Sequence, residues 1–316
     1  MEESRFGRTP DQTGPQRPGI LKRIWLLIYP MRVYEGVALV VTVPFMILMI
    51  AGHMEEMSAF STLQEYYLYV AQLMDDHYLV IAALTCVISI PIMLLFMRMD
   101  RKKERAVGMA ESYEPVPWYI YGLTFVCGAA VCITLNNLLD ISGLSELLAE
   151  GYEPVAEILY QDQLWLEILC VGILTPIVEE LIFRGLVYRR LRWMTGVRFA
   201  IFLSALYFGF FHGNWLQGIY AFAIGLLLAY SYEKYHTILA PITIHIGANL
   251  ISVLASETSL LDFVYGTEDI APFMILTGVS MALLVITLYW IITGAGPAER
   301  ADGLDAAPEG PGEKEA

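Results

Sequence analysis

Two adjacent glutamates, Glu179 and Glu180, stand inside the apolar run ILTPIVEELIFRG. Burying one carboxylate in a bilayer costs a few kcal/mol or more, so a pair of them points to function. Arg184 follows Glu180 by four residues, one helical turn, where the two can pair. Further apolar stretches carry Phe208 and His212 at i and i+4, then His245 and Asn249 at the same spacing. That spacing stacks each pair on one helix face. A carboxylate beside an imidazole can hold and deprotonate a water. Imidazoles and amides can donate hydrogen bonds to a developing oxyanion. The pattern predicts that Glu179, with His212, activates a water that attacks an amide carbonyl. His245 and Asn249 are the expected oxyanion partners, and Glu180 with Arg184 the structural ion pair. Glu179 and Glu180 point about 100° apart on a helix, so one of them faces the site. Taken singly, each residue has a plainer explanation: a lone His or Asn in a membrane helix can simply join two helices. Phe208 alone says nothing among so many aromatics.

These residues need helices to hold them. The 316-residue chain is 57% hydrophobic and 16% charged, with a mean hydropathy of +0.55. Soluble domains carry roughly 25% charged residues, so the expected solvent is the bilayer. Apolar stretches fall at about 33–52, 79–97, 118–139, 164–188, 199–213, 215–232, 238–254 and 272–293. A span needs roughly 20 residues, so the fifth and seventh are short. The expected fold is all-α and polytopic, with about eight transmembrane helices. Depth is a check on convergence. At about 1.5 Å per residue, Glu179 stands roughly 15 Å from Arg189 and His212 roughly 20 Å from Arg198. His245 and Asn249 stand roughly 16 and 22 Å from Lys234. All four reach mid-membrane and can meet.

Charge gives the orientation. Alternating sides from an inside amino terminus places the lysines and arginines on the inner side, whereas the loops at 53–78, 140–163 and 255–271 hold acids and neither lysine nor arginine. This positive-inside pattern predicts both termini in the cytoplasm. The net charge of -14 argues against a nucleic-acid partner. Residues 1–24 read as a flexible cytoplasmic segment, 25–293 as the membrane domain with its catalytic half at 164–254, and 294–316 as a disordered acidic tail. Cys86, Cys127, Cys132 and Cys170 match no zinc or redox spacing and read as small buried residues. No Cys lies near the final Lys-Glu-Ala, so no prenylation signal is expected in the protein itself. Glu35, Glu167 and His236 sit near helix ends and read as interfacial. Asn136 and Asn137 are expected to bond to neighbouring helices, and 141–163 to lie as a short helix on the outer surface. A site halfway across, on helices whose inner ends are basic, is expected to open toward the cytoplasm.

E-E-x-x-x-R (Glu179, Glu180, Arg184), F-x-x-x-H (Phe208, His212) and H-x-x-x-N (His245, Asn249), in that order, resemble the CPBP family of CAAX proteases and bacteriocin-processing proteins. The resemblance covers roughly residues 164–254 and includes type II CAAX prenyl endopeptidases. It implies a multi-helix intramembrane glutamate protease whose first glutamate and first histidine, Glu179 and His212, activate water, with His245 and Asn249 at the oxyanion. It favours Glu179 over Glu180 as the base and implies no cofactor. The expected partners are the lipid bilayer and a membrane-delivered peptide or protein, prenylated or unmodified, at the plasma membrane. A zinc-dependent membrane metallopeptidase is one alternative, because Glu and two His form a common ligand set, although HExxH is absent. A non-catalytic immunity factor, scaffold or transporter using the same pocket is the other; a transporter usually shows repeated halves, which this chain lacks.

Overall fold

The structure is a computed structural model that describes residues 19–109, 113–159 and 163–297. Long helices dominate it: α1 (Ile20–Gly52), α2 (Leu63–Asp75), α3 (Tyr78–Ala106), α4 (Trp118–Ile141), the short α5 (Leu144–Leu148) and α6 (Glu153–Leu159), α7 (164–195), α8 (Val197–Phe210), α9 (Trp215–Tyr235), α10 (Leu239–Glu257) and α11 (Ile270–Thr293). Among the described residues, six helices (α1, α3, α4, α9, α10 and α11) are long and apolar enough to cross a membrane. Large apolar side chains stand exposed along them, among them Leu39, Leu48, Met274, Ile275 and Trp290. Such a girdle suits lipid and not water. The protein is an all-α integral membrane protein, and each of the eight apolar stretches lies largely within a helix.

The N-terminal and C-terminal segments set apart in the sequence fall mostly outside the described residues. Where the structure does describe the first of them, α1 already starts at Ile20. Between α1 and α3, α2 opens on a capping box of Thr62 and Glu65, which satisfies two orphan N–H groups at the helix start. The backbone N–H groups of Ser61 and Thr62 hold the Glu65 carboxyl below the usual carboxylate range.

Glycine sets the helix spacing where it matters. A Cβ at Gly128 of α4 would stand 1.9 Å from the Ile244 carbonyl oxygen, and one at Gly247 of α10 2.3 Å from that of Phe125. The backbones of α4 and α10 therefore touch, as small residues allow in membranes. Asn137 Nδ2 donates to Thr277 Oγ1 of α11 at 2.8 Å, and Tyr265 donates to Asn137 Oδ1 at 2.7 Å. Asn137 thus ties helices together as the sequence suggested, whereas Asn136 Nδ2 contacts Cys132 Sγ of its own helix.

The basic helix ends gather on one face and are paired there. Arg190 donates to Asp100 of α3, and to Leu26 O and Tyr29 of α1. Arg189 pairs with Glu104, and Arg192 with Glu233 of α9. Four helices are clasped at this end. The four cysteines are buried and free.

Candidate active site

The motif helix α7 is not a regular helix. Its α-helical segment Thr175–Ile182, which holds both glutamates, is flanked by wide π turns at Ile168–Leu174 and Phe183–Tyr188. Pro176 explains what Asn249 does there. In the first π segment the N–H of Thr175 goes to Cys170 O. The next donor in line for Val171 O would be residue 176, but proline has no N–H. Asn249 Nδ2 fills that gap, donating to Val171 O at 2.9 Å. Wide turns of this kind recur at functional sites.

The two glutamates separate as the helix angle requires. Glu180 is fully buried, and Arg184, also fully buried, donates from Nη1 to its Oε1 at 2.8 Å. Arg184 Nη2 reaches on to Gly225 O of α9 at 3.1 Å. Glu179 keeps 25% of its side chain exposed, into a cavity. His245 lies between them: its Nδ1 is 2.8 Å from Glu180 Oε1 and its Nε2 is 3.6 Å from Glu179 Oε2. A sequence reading of Glu180 as a partner for Arg184 alone missed this second bond. Both partners meet the same oxygen, Oε1, and nothing in the spacing links residue 180 to residue 245.

His212 sits beyond the helix that was expected to carry it. α8 ends at Phe210, and His212 lies in the turn before α9. Its Nδ1 is 2.9 Å from Phe208 O. A carbonyl can only accept, so Nδ1 carries a proton, and in the neutral ring Nε2 is the nitrogen with the lone pair. The last carbonyls of a helix need donors, and the imidazole supplies one. Phe208 organises the whole group. Its ring meets the His212 ring edge-to-face at 4.8 Å and the His245 ring at 5.6 Å, while Arg184 Cζ stands 4.5 Å from its centroid. Such contacts hold imidazoles and a guanidinium in fixed positions.

Glu179, Phe208, His212, His245 and Asn249 all line one cavity of about 860 Å³. Its direction overturns the expected opening toward the basic side. The cavity runs away from the arginine clasp to Asp140 at the end of α4, Glu146 and Tyr152 of the following segment, and Tyr265. The physical reason is a short helix. α8 has 14 residues, about 21 Å, which cannot cover a hydrocarbon core of about 30 Å. The α8–α9 turn stops short of the acidic face and leaves a space above His212. The segment 144–159 roofs that space: a Cβ on Gly151 would lie 3.8 Å from Asn214 Cβ in the turn below. It is therefore a wall of the cavity and not a helix lying flat on the outer surface. Asn136 also lines the cavity.

One further placement differs from the sequence reading. Glu167, read as interfacial, is fully buried. His236 ends α9 in the left-handed conformation, φ 51°, and stacks on Tyr113 with ring centroids 3.6 Å apart. Glu35 pairs with Arg32 at 2.7 Å and is partly exposed. Tyr34 of α1 is a residue that the motifs did not indicate. It lines the large cavity and also a smaller one of about 60 Å³, and Glu179 and His212 line both. The smaller space is large enough for water. Among the described residues no group of three His, Cys, Asp or Glu side chains is placed to hold a metal ion.

The arrangement can polarise a water and receive a carbonyl. No curated protein and no solved structure is detectably similar to the chain. Residues 161–251, the stretch that holds every one of these motif residues, match the family described as type II CAAX prenyl endopeptidase Rce1-like.

Proposed function

We propose that this protein is an intramembrane endopeptidase of the glutamate type, hydrolysing a peptide bond in a membrane-associated substrate. The observation that carries the reading is the division of labour around His245: one carboxylate is sealed against Arg184 and the other is left facing an 860 Å³ cavity beside a second imidazole. In this reading Glu179 is the general base. It takes a proton from a water that His212 Nε2 orients by accepting its other hydrogen. The resulting hydroxide attacks the amide carbonyl. Glu179, now protonated, delivers that proton to the leaving nitrogen, and base and acid duties balance over one turnover.

The oxyanion goes to Asn249 and His245. Asn249 Nδ2 has a second N–H beyond the one given to Val171 O. His245 donates from Nε2 as an imidazolium, its charge balanced by the carboxylates on either side. Such donors act strongly in a dry site. Glu180 is a positioning residue that fixes His245 through Nδ1. Phe208 holds both imidazoles in place, and Tyr34 helps to hold the water. The orientation, with both termini in the cytoplasm of the cell that makes the protein, and placement in the plasma membrane complete the reading.

The test is cleavage of quenched fluorescent peptides, prenylated and unmodified, by the purified protein in detergent. Cleavage that survives a strong chelator and is lost in Glu179→Ala and His212→Ala supports the proposal. Loss on chelation, restored by zinc, would establish a metallopeptidase instead. Peptide binding without cleavage by the wild-type protein would favour a binding or immunity role for the pocket.

A further inference from the structure

The cavity and the basic residues of the molecule lie at opposite ends, and together they identify the side from which substrate arrives. Below Glu179, toward the arginine clasp, the interior is closed: Glu180, Arg184, Phe183, Phe208 and Leu186 are each at most 1% exposed. Above it, the space reaches Asp140, Ser145 and Glu146. The loops at that end contain acids and neither lysine nor arginine, while the basic residues occupy the other end. In a bilayer the basic end faces the cytoplasm.

We propose that the site is fed from the extracytoplasmic face and that it takes cationic peptides. This deepens the peptidase reading and rests on it for the chemistry, though not for the direction of access. The charge argument comes from the lining. Asp140, Glu146 and Glu179 contribute carboxylates to the cavity, and the described lining includes neither a lysine nor an arginine. A peptide entering this partly desolvated space meets carboxylates at its acidic end, Asp140 and Glu146, and again at Glu179, so lysine or arginine near the scissile bond is attracted and aspartate or glutamate repelled. A substrate confined to the cytoplasm would have to pass the packed layer around Phe183 and Arg184.

Two measurements test the proposal separately. In the first, Cys86, Cys127, Cys132 and Cys170 are replaced by alanine and single cysteines are placed by Glu150→Cys, Ser145→Cys and Thr237→Cys. Intact cells are then treated with a membrane-impermeant thiol reagent. Labelling at positions 150 and 145, with position 237 labelled only after permeabilisation, is the expected result. The reverse pattern overturns the access side whatever the enzymology shows. If the cysteine-free background fails to fold, the same positions are read with reporter fusions at 150 and 237.

In the second, two quenched peptides differing only in flanking Lys/Arg or Asp/Glu are compared. The basic peptide is expected to be cleaved about tenfold faster, and Asp140→Asn with Glu146→Gln to erase most of that preference. Equal rates for the two peptides overturn the charge selection. Should neither be cleaved, the peptidase reading fails, and anisotropy of the same labelled peptides bound to the protein decides charge selection alone: tighter binding of the basic peptide upholds it, and equal binding overturns it.

Discussion

The two ends of this molecule use the same residue types to opposite effect. At the basic end, Arg189, Arg190 and Arg192 meet Glu104, Asp100 and Glu233, and Arg190 also finds a tyrosine and a backbone carbonyl. The charges there are matched, and the helices are drawn together. Toward the acidic end, Glu179, His212 and Asn249 each make fewer contacts than their atoms allow, and they face open space. The pair Glu180–Arg184 lies at the boundary: it is as closed as the clasp, yet it also holds His245. A polar group whose partners are all supplied by the fold acts as structure. One that the fold leaves half-satisfied beside a cavity is available to a ligand, and it persists because its neighbours hold it there.

The comparison breaks most visibly at Glu179. Glu179→Gln is expected to lower kcat by about 10²- to 10⁴-fold while leaving thermal unfolding in detergent unchanged; an active Gln variant would place the base elsewhere. At the boundary, Arg184→Ala leaves Glu180 buried without its cation and is expected to destabilise by about 3–5 kcal/mol, read by denaturant titration in micelles. The double change Glu180→Leu with Arg184→Met should restore most of that stability but not activity, because His245 then lacks its Nδ1 acceptor. If activity returned with stability, Glu180 would be structural only.

Asn249 gives a sharper separation of the two roles. Asn249→Ala is expected to lower kcat by about 10²- to 10³-fold as a lost oxyanion donor, and to destabilise α7 slightly by stranding Val171 O. Adding Pro176→Ala returns a backbone N–H to the helix. Recovery of melting temperature without recovery of kcat would confirm that the amide does both jobs. The smallest effect belongs to the clasp. Arg192→Ala removes an ion pair with Glu233 that is partly exposed on both sides, so less than about 1 kcal/mol should be lost and peptide cleavage should not change. A large activity loss there would mean that the two ends are coupled.

Much of this was readable before the fold was known. The spacing of Glu180 and Arg184 at i and i+4 is enough to write their ion pair, since one helical turn is a local geometry. The helices follow from apolar stretches whose backbone groups must bond within the segment when no water is present. The interhelical bonds of Asn137 follow from the same need, because a buried amide must find a partner. Other features resisted. The sharing of Glu180 between Arg184 and His245 joins residues 65 apart, and nothing local encodes it. The burial of Glu167 and the place of His212 in a turn depend on where neighbouring helices end.

The residue types alone determined the solvent, the helical fold, the sidedness of the charges and the set of polar groups able to act on a water. Those follow from transfer free energies and from helical periodicity, which are properties of each segment by itself. The tertiary structure decided which glutamate is sealed and which is open, which nitrogen of His212 carries the proton, and that the cavity faces the acidic end. These depend on the length of α8 relative to the bilayer and on the contact of α4 with α10, and so on how segments far apart in the chain fill space against one another.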